Sequence, residues 1–197
     1  MKRWFDVALV LISSPVWVPL LLAVALTIGL TMGGPVIFSQ VRPGLHGQPF
    51  RLFKFRTMRE PTSEAERLST DADRLTLLGR LLRATSLDEL PELWNVLAGE
   101  MSLVGPRPLL TEYLPLYSSE QARRHEMRPG LTGWAQINGR NAIAWDERFR
   151  LDVWYIDNWS LGLDLRILLR TLFKVILREG ISAEGEATMS RFTGNAK

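Results

Sequence analysis

Between Asp6 and Arg42 the chain carries no charged side chain. The apolar stretch 4–32 exceeds the about 20 residues that a helix needs to span the hydrocarbon core of a bilayer. It is also longer than the about 7–15 apolar residues of a secretory signal peptide. It therefore fixes the first expectation, a membrane-associated element at the amino terminus.

Two features decide how that element meets a membrane. Ser14-Pro15 stands well inside the run, with Pro19 one turn later. A proline removes a backbone donor and clashes with the carbonyl four residues earlier, so it kinks a helix. The hydroxyls of Ser13 and Ser14 can bond the carbonyls that the kink frees, which matters where no water is present. The second feature is charge. Lys2 and Arg3 precede the run, while Arg42, Arg51, Lys54, Arg56 and Arg59 follow it. A spanning helix cannot keep both basic ends on the cytoplasmic side, whereas a helix that enters, bends at Ser14-Pro15 and returns can. The residues alone leave both readings open, a kinked span and a re-entrant helix.

The remainder holds nearly all the charge and reads as one domain. A net charge of +3 and a pI near 9.6 favour anionic partners such as phosphates, nucleic acid or an anionic membrane surface. The absence of cysteine excludes disulfides, thiolate catalysis and zinc-thiolate sites. Residues 36–41 read as a strand. Arg42-Pro43-Gly44 makes a turn, and residues 50–56 alternate apolar and basic side chains, which together predict a short hairpin. Residues 61–73 read as a polar loop or helix start. Helices are expected over residues 75–82, 87–97 and most of 108–124, and residues 129–141 as loop with a short strand. In residues 161–178, Arg166, Arg170, Lys174 and Arg178 recur every fourth position beside leucines and Phe173. That is an amphipathic helix, suited either to the membrane interface or to a core with a solvated basic edge.

Chemistry can sit at Ser86-Leu87-Asp88-Glu89-Leu90-Pro91. Ser86 and Glu89 have the spacing of a capping box, although Pro91 is awkward there and delays the helix by a residue or two. Asp88 and Glu89 then lie near a helix N-terminus, where they either complement the dipole or serve a phosphate site, one as nucleophile and one as cation ligand. Gly105-Pro106-Arg107-Pro108 presents an arginine between two prolines, a pre-set guanidinium suited to phosphate or a rigid exposed loop. Lys54, Arg56, Arg83 and Arg140 are further cations. Trp134-Ala135-Gln136-Ile137-Asn138-Gly139-Arg140 offers amides to a base or sugar, or a buried polar strand. His46 and His125 lack ligand spacing and read as turn and surface residues. No Gly-x-x-x-x-Gly-Lys or Gly-x-Gly-x-x-Gly is present, so nucleotide binding would use another device.

Taken in order, several stretches carry a resemblance. They are Lys2-Arg3 with Asp6, Ser14-Pro15, Gln40-Val41-Arg42-Pro43-Gly44, Lys54-Phe55-Arg56-Thr57-Met58, and the segments 86–97, 101–110 and 128–145. This set resembles the monotopic phosphoglycosyl transferases of the bacterial sugar transferase family, and within it the small PglC-type initiating branch. The resemblance implies an α+β, mostly helical monotopic membrane protein with amphipathic interfacial helices and a small β-hairpin. It implies a re-entrant helix over 1–33, broken at Ser14 and Pro15, and a catalytic domain over 34–197 on the cytoplasmic face of the bacterial inner membrane.

The same resemblance implies transfer of a sugar-1-phosphate from a UDP-sugar to undecaprenyl phosphate with release of UMP. Asp88 is implied as the covalent nucleophile, Glu89 as the ligand of Mg2+, and Arg107, framed by Pro106 and Pro108, as the phosphate-binding arginine. Lys54, Arg83 and Arg140 fall on basic positions near the site. The tail residues 185–195 resemble enzymes that use UDP-N,N'-diacetylbacillosamine, while UDP-galactose or UDP-glucose would serve exopolysaccharide assembly. Starting at the re-entrant helix, the chain resembles the minimal catalytic form. Its implied partners are the two substrates, membrane phospholipid and downstream glycosyltransferases. Two other classes are a silent membrane scaffold, which the Asp88-Glu89 pair and Arg107 argue against, and a nucleic-acid binder, which the dispersed charge argues against.

Overall fold

The structure is a computed structural model that describes residues 1–59, 71–139, 143–177 and 191–194. It opens with α1 (Lys2–Ile12) and α2 (Ser14–Met32), which meet at Ser13. Pro15 sits in the first turn of α2, where a missing N–H costs nothing. Its ring instead denies the Leu11 carbonyl an ordinary partner. Ser14 Oγ donates to that carbonyl at 2.7 Å and Ser13 Oγ to the Leu9 carbonyl at 2.7 Å, so the break is satisfied from within. Trp17 Nε1 reaches back to the Val10 carbonyl at 2.9 Å. α2 is long and apolar enough to cross a membrane, by length and composition. Only Val24 and Ile28 on it are buried, against Phe55 and Leu82, while Leu20, Leu22, Leu26 and Leu30 are exposed.

Both ends of this helical pair are tied to the same body. Lys2 pairs with fully buried Asp164 at 2.6 Å, and Tyr155 and Trp159 also donate to that carboxylate. Arg3 donates to the carbonyls of Val96 and Leu97, and Asp6 accepts from Ser102 Oγ at 2.8 Å. At the far end Arg56 is buried and donates to the carbonyls of Met32, Gly33 and Gly34. A cation that collects the last carbonyls of a helix also meets the negative end of its dipole.

The expected hairpin is β1 (Ile37–Pro43) and β2 (Pro49–Phe55), antiparallel with Ile37 opposite Phe55 and Pro43 opposite Pro49. Then follow α3 (Asp71–Arg74), α4 (Leu77–Ala84), a 3-10 turn at Leu87–Glu89 and α5 (Glu92–Ala98). Thr76 caps α4 by accepting from the Gly79 N–H at 2.9 Å. Thr76→Ala should lower stability by about 1 kcal/mol, read as a shift in the denaturation midpoint.

Three expectations need correction. Ser86 and Glu89 do not form a capping box. Ser86 takes a left-handed conformation with φ of 56°, makes no cap bond, and α5 starts only after Pro91. The proline ring would strike the Leu87 carbonyl in a continuous helix, so the chain makes a 3-10 turn first. The segment 108–124 is helical only in short pieces, 3-10 at Thr111–Leu116 and again from Arg123, with a single α-turn, α6 (Ser119–Ala122), because prolines interrupt it. Residues 129–141 hold a strand as expected, β4 (Gly130–Thr132), but α7 (Trp134–Asn138) stands where loop or strand was expected. The loop expected at 61–73 lies almost wholly outside the described residues.

β4 runs parallel to β3 (Ser102–Val104) in a second small sheet. α8 (Trp145–Asp157) and α9 (Leu161–Leu177) close the domain. The core gathers Val10 of α1, Phe50 and Leu52 of β2, Leu93 and Val96 of α5, Val104, Tyr155 and Ile167. α9 therefore has two apolar faces: Leu163 and Ile167 are buried, whereas Leu165, Leu169, Leu172 and Phe173 are exposed. The solvated-edge reading of that helix does not account for the second face.

Candidate active site

The carboxylates and cations singled out in the sequence meet between β2, the 3-10 turn and the loop after β3. Lys54, near the end of β2, places Nζ 2.6 Å from Glu89 Oε1 and 3.1 Å from Glu92 Oε1. Arg107 Nη2 pairs with the same Glu89 oxygen. The two cations hold the Glu89 carboxyl well below its usual range despite burial. Its neighbour is treated differently. Asp88 is 8% exposed and has no hydrogen-bond or ion-pair partner among the described residues. Burial and the charge of Glu89 push it up to about 6, against the pull of Lys54, Arg107 and Arg83. It is thus ionised at neutral pH but more basic than an ordinary aspartate. Arg83 is held by Thr57, its Nε donating to Oγ1 at 3.1 Å.

The loop carrying Arg107 is fixed from several sides. Pro106 and Pro108 are buried, and the Arg107 side chain between them remains 36% exposed. Gly105 N–H donates to the Thr132 carbonyl at 2.8 Å, and Gly130 N–H to the Pro106 carbonyl at 3.0 Å. A Cβ on Gly130 would stand 2.0 Å from the Gly105 nitrogen, so β4 approaches the loop as only glycine allows. Beneath lies Arg124, whose Nη2 donates to the Arg107 carbonyl at 2.8 Å and to Asp152 at 2.7 Å. Both members of that pair are buried. Burial raises the Asp152 carboxyl, and Arg124 opposes the rise.

The structure thus brings Asp88, Glu89, Lys54, Arg83 and Arg107 together. Arg140 lies outside the described residues. Arg56 is spent on α2 rather than on the site. Asn138 donates to the Trp134 carbonyl within its own helix, and both amide atoms of Gln136 are buried without a partner among the described residues. His46 is in a turn, as expected, but His125 is half-buried rather than a surface residue; its Nδ1 faces the Gly44 carbonyl at 3.2 Å, and burial drives it down to about 4. Sequence reasoning missed Glu92 and Arg124 as supports of the site. It quoted Arg42 without a role, yet this guanidinium lies close enough to Arg107 and Glu92 to feel both charges. Glu92 carried no available signal, because α5 begins only at that residue and its contact with Lys54 is made across the fold.

Among the described residues no cluster of three or more acidic or histidine side chains is placed to cage a metal ion. Magnesium does not need one, since it binds through one or two carboxylates plus substrate phosphates and water. Both cations bond Glu89 through Oε1, which leaves Oε2 as a hard oxygen donor. The residues present fit such an ion.

Residues 1–178 match the family model described as bacterial sugar transferase. The chain belongs to the bacterial sugar transferase family. It is 54% identical over 195 residues to the sugar transferase EpsL of Bacillus subtilis, covering 99% of this chain and 96% of that protein. It is 45% identical over 181 residues to the UDP-glucose:undecaprenyl-phosphate glucose-1-phosphate transferase of Caulobacter vibrioides, covering 87% and 68%. With the undecaprenyl-phosphate galactose phosphotransferase of Salmonella typhimurium the identity is 38% over 202 residues, covering 91% of this chain but 41% of the relative. As a family member the protein is a phosphoglycosyl transferase, as the resemblance implied.

Proposed function

We propose that this enzyme transfers a hexose-1-phosphate from a UDP-sugar to undecaprenyl phosphate through a phosphosugar bound covalently to Asp88. One observation carries the reading: of two adjacent acids, Glu89 is neutralised by Lys54 and Arg107 while Asp88 is left desolvated and unpaired among the described residues. A structural pair of acids would share the available cations. A nucleophile must keep its lone pairs free.

In the first step an Asp88 oxygen attacks the β-phosphorus of the donor. The bond from that phosphorus to the bridging oxygen breaks, and UMP leaves with the electron pair. In the second step an oxygen of the lipid phosphate attacks the same phosphorus and expels the Asp88 carboxylate. The lipid phosphate is already ionised and needs no base. Lys54, Arg83 and Arg107 stabilise the charge on the phosphoryl oxygens, while Arg124 keeps the Arg107 backbone in place. The sequence suggested a helix N-terminus for this task. α5 begins beyond Pro91 and has seven residues, so side-chain cations take it over. Mg2+, when bound, supplies further neutralisation of the pyrophosphate, and Glu89 is the residue that would hold it.

The relatives named for glucose and galactose transfer support a UDP-hexose donor. The tail residues that pointed to UDP-N,N'-diacetylbacillosamine lie mostly outside the described residues. UMP release measured with undecaprenyl phosphate against UDP-glucose, UDP-galactose and UDP-N,N'-diacetylbacillosamine decides the donor. The reaction assignment fails if no UDP-sugar yields UMP. Excess chelator should lower the rate at least about tenfold and added Mg2+ restore it; an enzyme unaffected by chelation has no catalytic metal.

The membrane arrangement we infer is monotopic, with α1 and α2 re-entrant from the cytoplasmic face of the inner membrane. It is supported by the pinning of Lys2 and Arg56, at opposite ends of the helical pair, to one body. The exposed apolar side chains of α4 (Leu77, Leu81) and α9 suit the interface. Because the chain has no cysteine, single ones can be introduced ahead of Met1 and at exposed Glu120. Both should resist an impermeant thiol reagent in intact cells. Labelling at one position alone would establish a span.

A further inference from the structure

We propose that Glu92 is a positioning residue that holds the Lys54 ammonium in place for the donor phosphates when Glu89 lets go of it. The inference rests on the roles given above to Lys54 and Glu89. A lysine is a compact charge on a flexible four-carbon stem, and a strand backbone does not fix where that charge stands. Here two carboxylates fix it, Glu89 at 2.6 Å and Glu92 at 3.1 Å.

The two seats are not equivalent. The Glu89 side chain is 17% exposed and shares its oxygen with Arg107, so an incoming pyrophosphate competes for both of its cations. Glu92 is 2% exposed and faces Lys54 from the protein side. It cannot touch a donor and does not lose its partner when one binds. With one N–H on Glu92, the ammonium keeps two for phosphoryl oxygens.

The seat is built rather than incidental. Asn95, one turn along α5 from Glu92, accepts the Phe53 N–H at 3.1 Å and donates to the Arg51 carbonyl at 2.8 Å. These bonds clamp β2 to α5 on either side of residue 52 and fix the register that brings Lys54 to Glu92. A buried carboxyl is costly to keep, and the Lys54 ammonium is the cation placed to offset that cost. A core that only had to be filled would do better with an apolar side chain here.

The test is a double-mutant cycle on UDP binding, measured by equilibrium titration of the full-length enzyme in nanodiscs. Glu92→Gln keeps the shape and removes the charge, and should weaken UDP about tenfold. Lys54→Met should weaken it more, and adding Glu92→Gln to Lys54→Met should have no further effect. Glu92→Asp, which keeps the charge, should recover part of the loss. In turnover, the KM for the UDP-sugar should rise more than kcat falls in Glu92→Gln, a split that general loss of folding does not produce. Effects of the two substitutions that multiply independently would overturn the proposal, as would wild-type UDP affinity in Glu92→Gln. Wild-type enzyme that binds UDP yet releases no UMP from any UDP-sugar would instead defeat the reaction assignment.

Discussion

Replacing Asp88 with asparagine is expected to lower turnover at least about 10³-fold, with loss of the covalent adduct. The substitution preserves volume, and the Asp88 side chain has no partner among the described residues whose loss could disturb the fold. Its effect should therefore be chemical. An acid that only complemented a helix dipole would cost about 0.3–1 kcal/mol of stability and leave chemistry intact. Wild-type enzyme given labelled UDP-sugar without lipid should retain label on Asp88, show ping-pong kinetics and exchange free UMP into the donor. Glu89→Gln should instead form adduct slowly, because Lys54 and Arg107 lose their common partner. Sequential kinetics with no adduct on Asp88 would reject the covalent mechanism and leave the transferase assignment standing.

The second large effect is expected at the buried support beneath Arg107. Arg124→Met should cost about 3–5 kcal/mol of stability, because it leaves Asp152 buried without the guanidinium that donates twice to its Oδ2. For a chain of 197 residues that corresponds to a fall in the unfolding midpoint of about 6–20 °C. Activity should fall as well, since the Arg107 carbonyl loses the guanidinium that anchors its loop. A double variant, Arg124→Met with Asp152→Leu, separates the two roles. An apolar pair of similar volume removes the buried charge and should restore much of the stability. It cannot restore the donor to the Arg107 carbonyl, so UMP release should stay low. Recovery of full activity with stability would show that Arg124 serves the fold alone. A midpoint unchanged in the single variant would show that Arg148, whose charge Asp152 also feels, can carry the pair by itself.

Much of the outline was legible along the chain because it depends on neighbours in sequence. Pro15 breaks the apolar helix wherever that helix lies, and the adjacent Ser14 hydroxyl satisfies the Leu11 carbonyl it frees. The alternation in residues 50–56 predicts a strand, and Phe50 and Leu52 are buried on one face as expected, but Phe55 and Arg56 are buried too because α2 packs over that end. Asp88 and Glu89 could be marked only as acids near a helix start, which commonly just complement a dipole; the arginine between two prolines and the ordered family pattern along the chain gave them and Arg107 their expected roles. The same local reasoning failed at Ser86. A capping box needs an unbroken first turn, and Pro91 denies one.

What the sequence determined by itself is therefore the set of local commitments: a broken apolar helix, a basic hairpin, an amphipathic last helix, and a family pattern distributed along the chain. The tertiary structure decided which charges meet. Arg124 finds Asp152 and the Arg107 carbonyl, Asn95 clamps the backbone of β2, and Glu92 reaches Lys54 across a long sequence separation. No periodicity announces such contacts, since a lone buried polar residue reads like any surface charge until its partner is known. Their energies arise from desolvation, and desolvation exists only once the chain has packed around them.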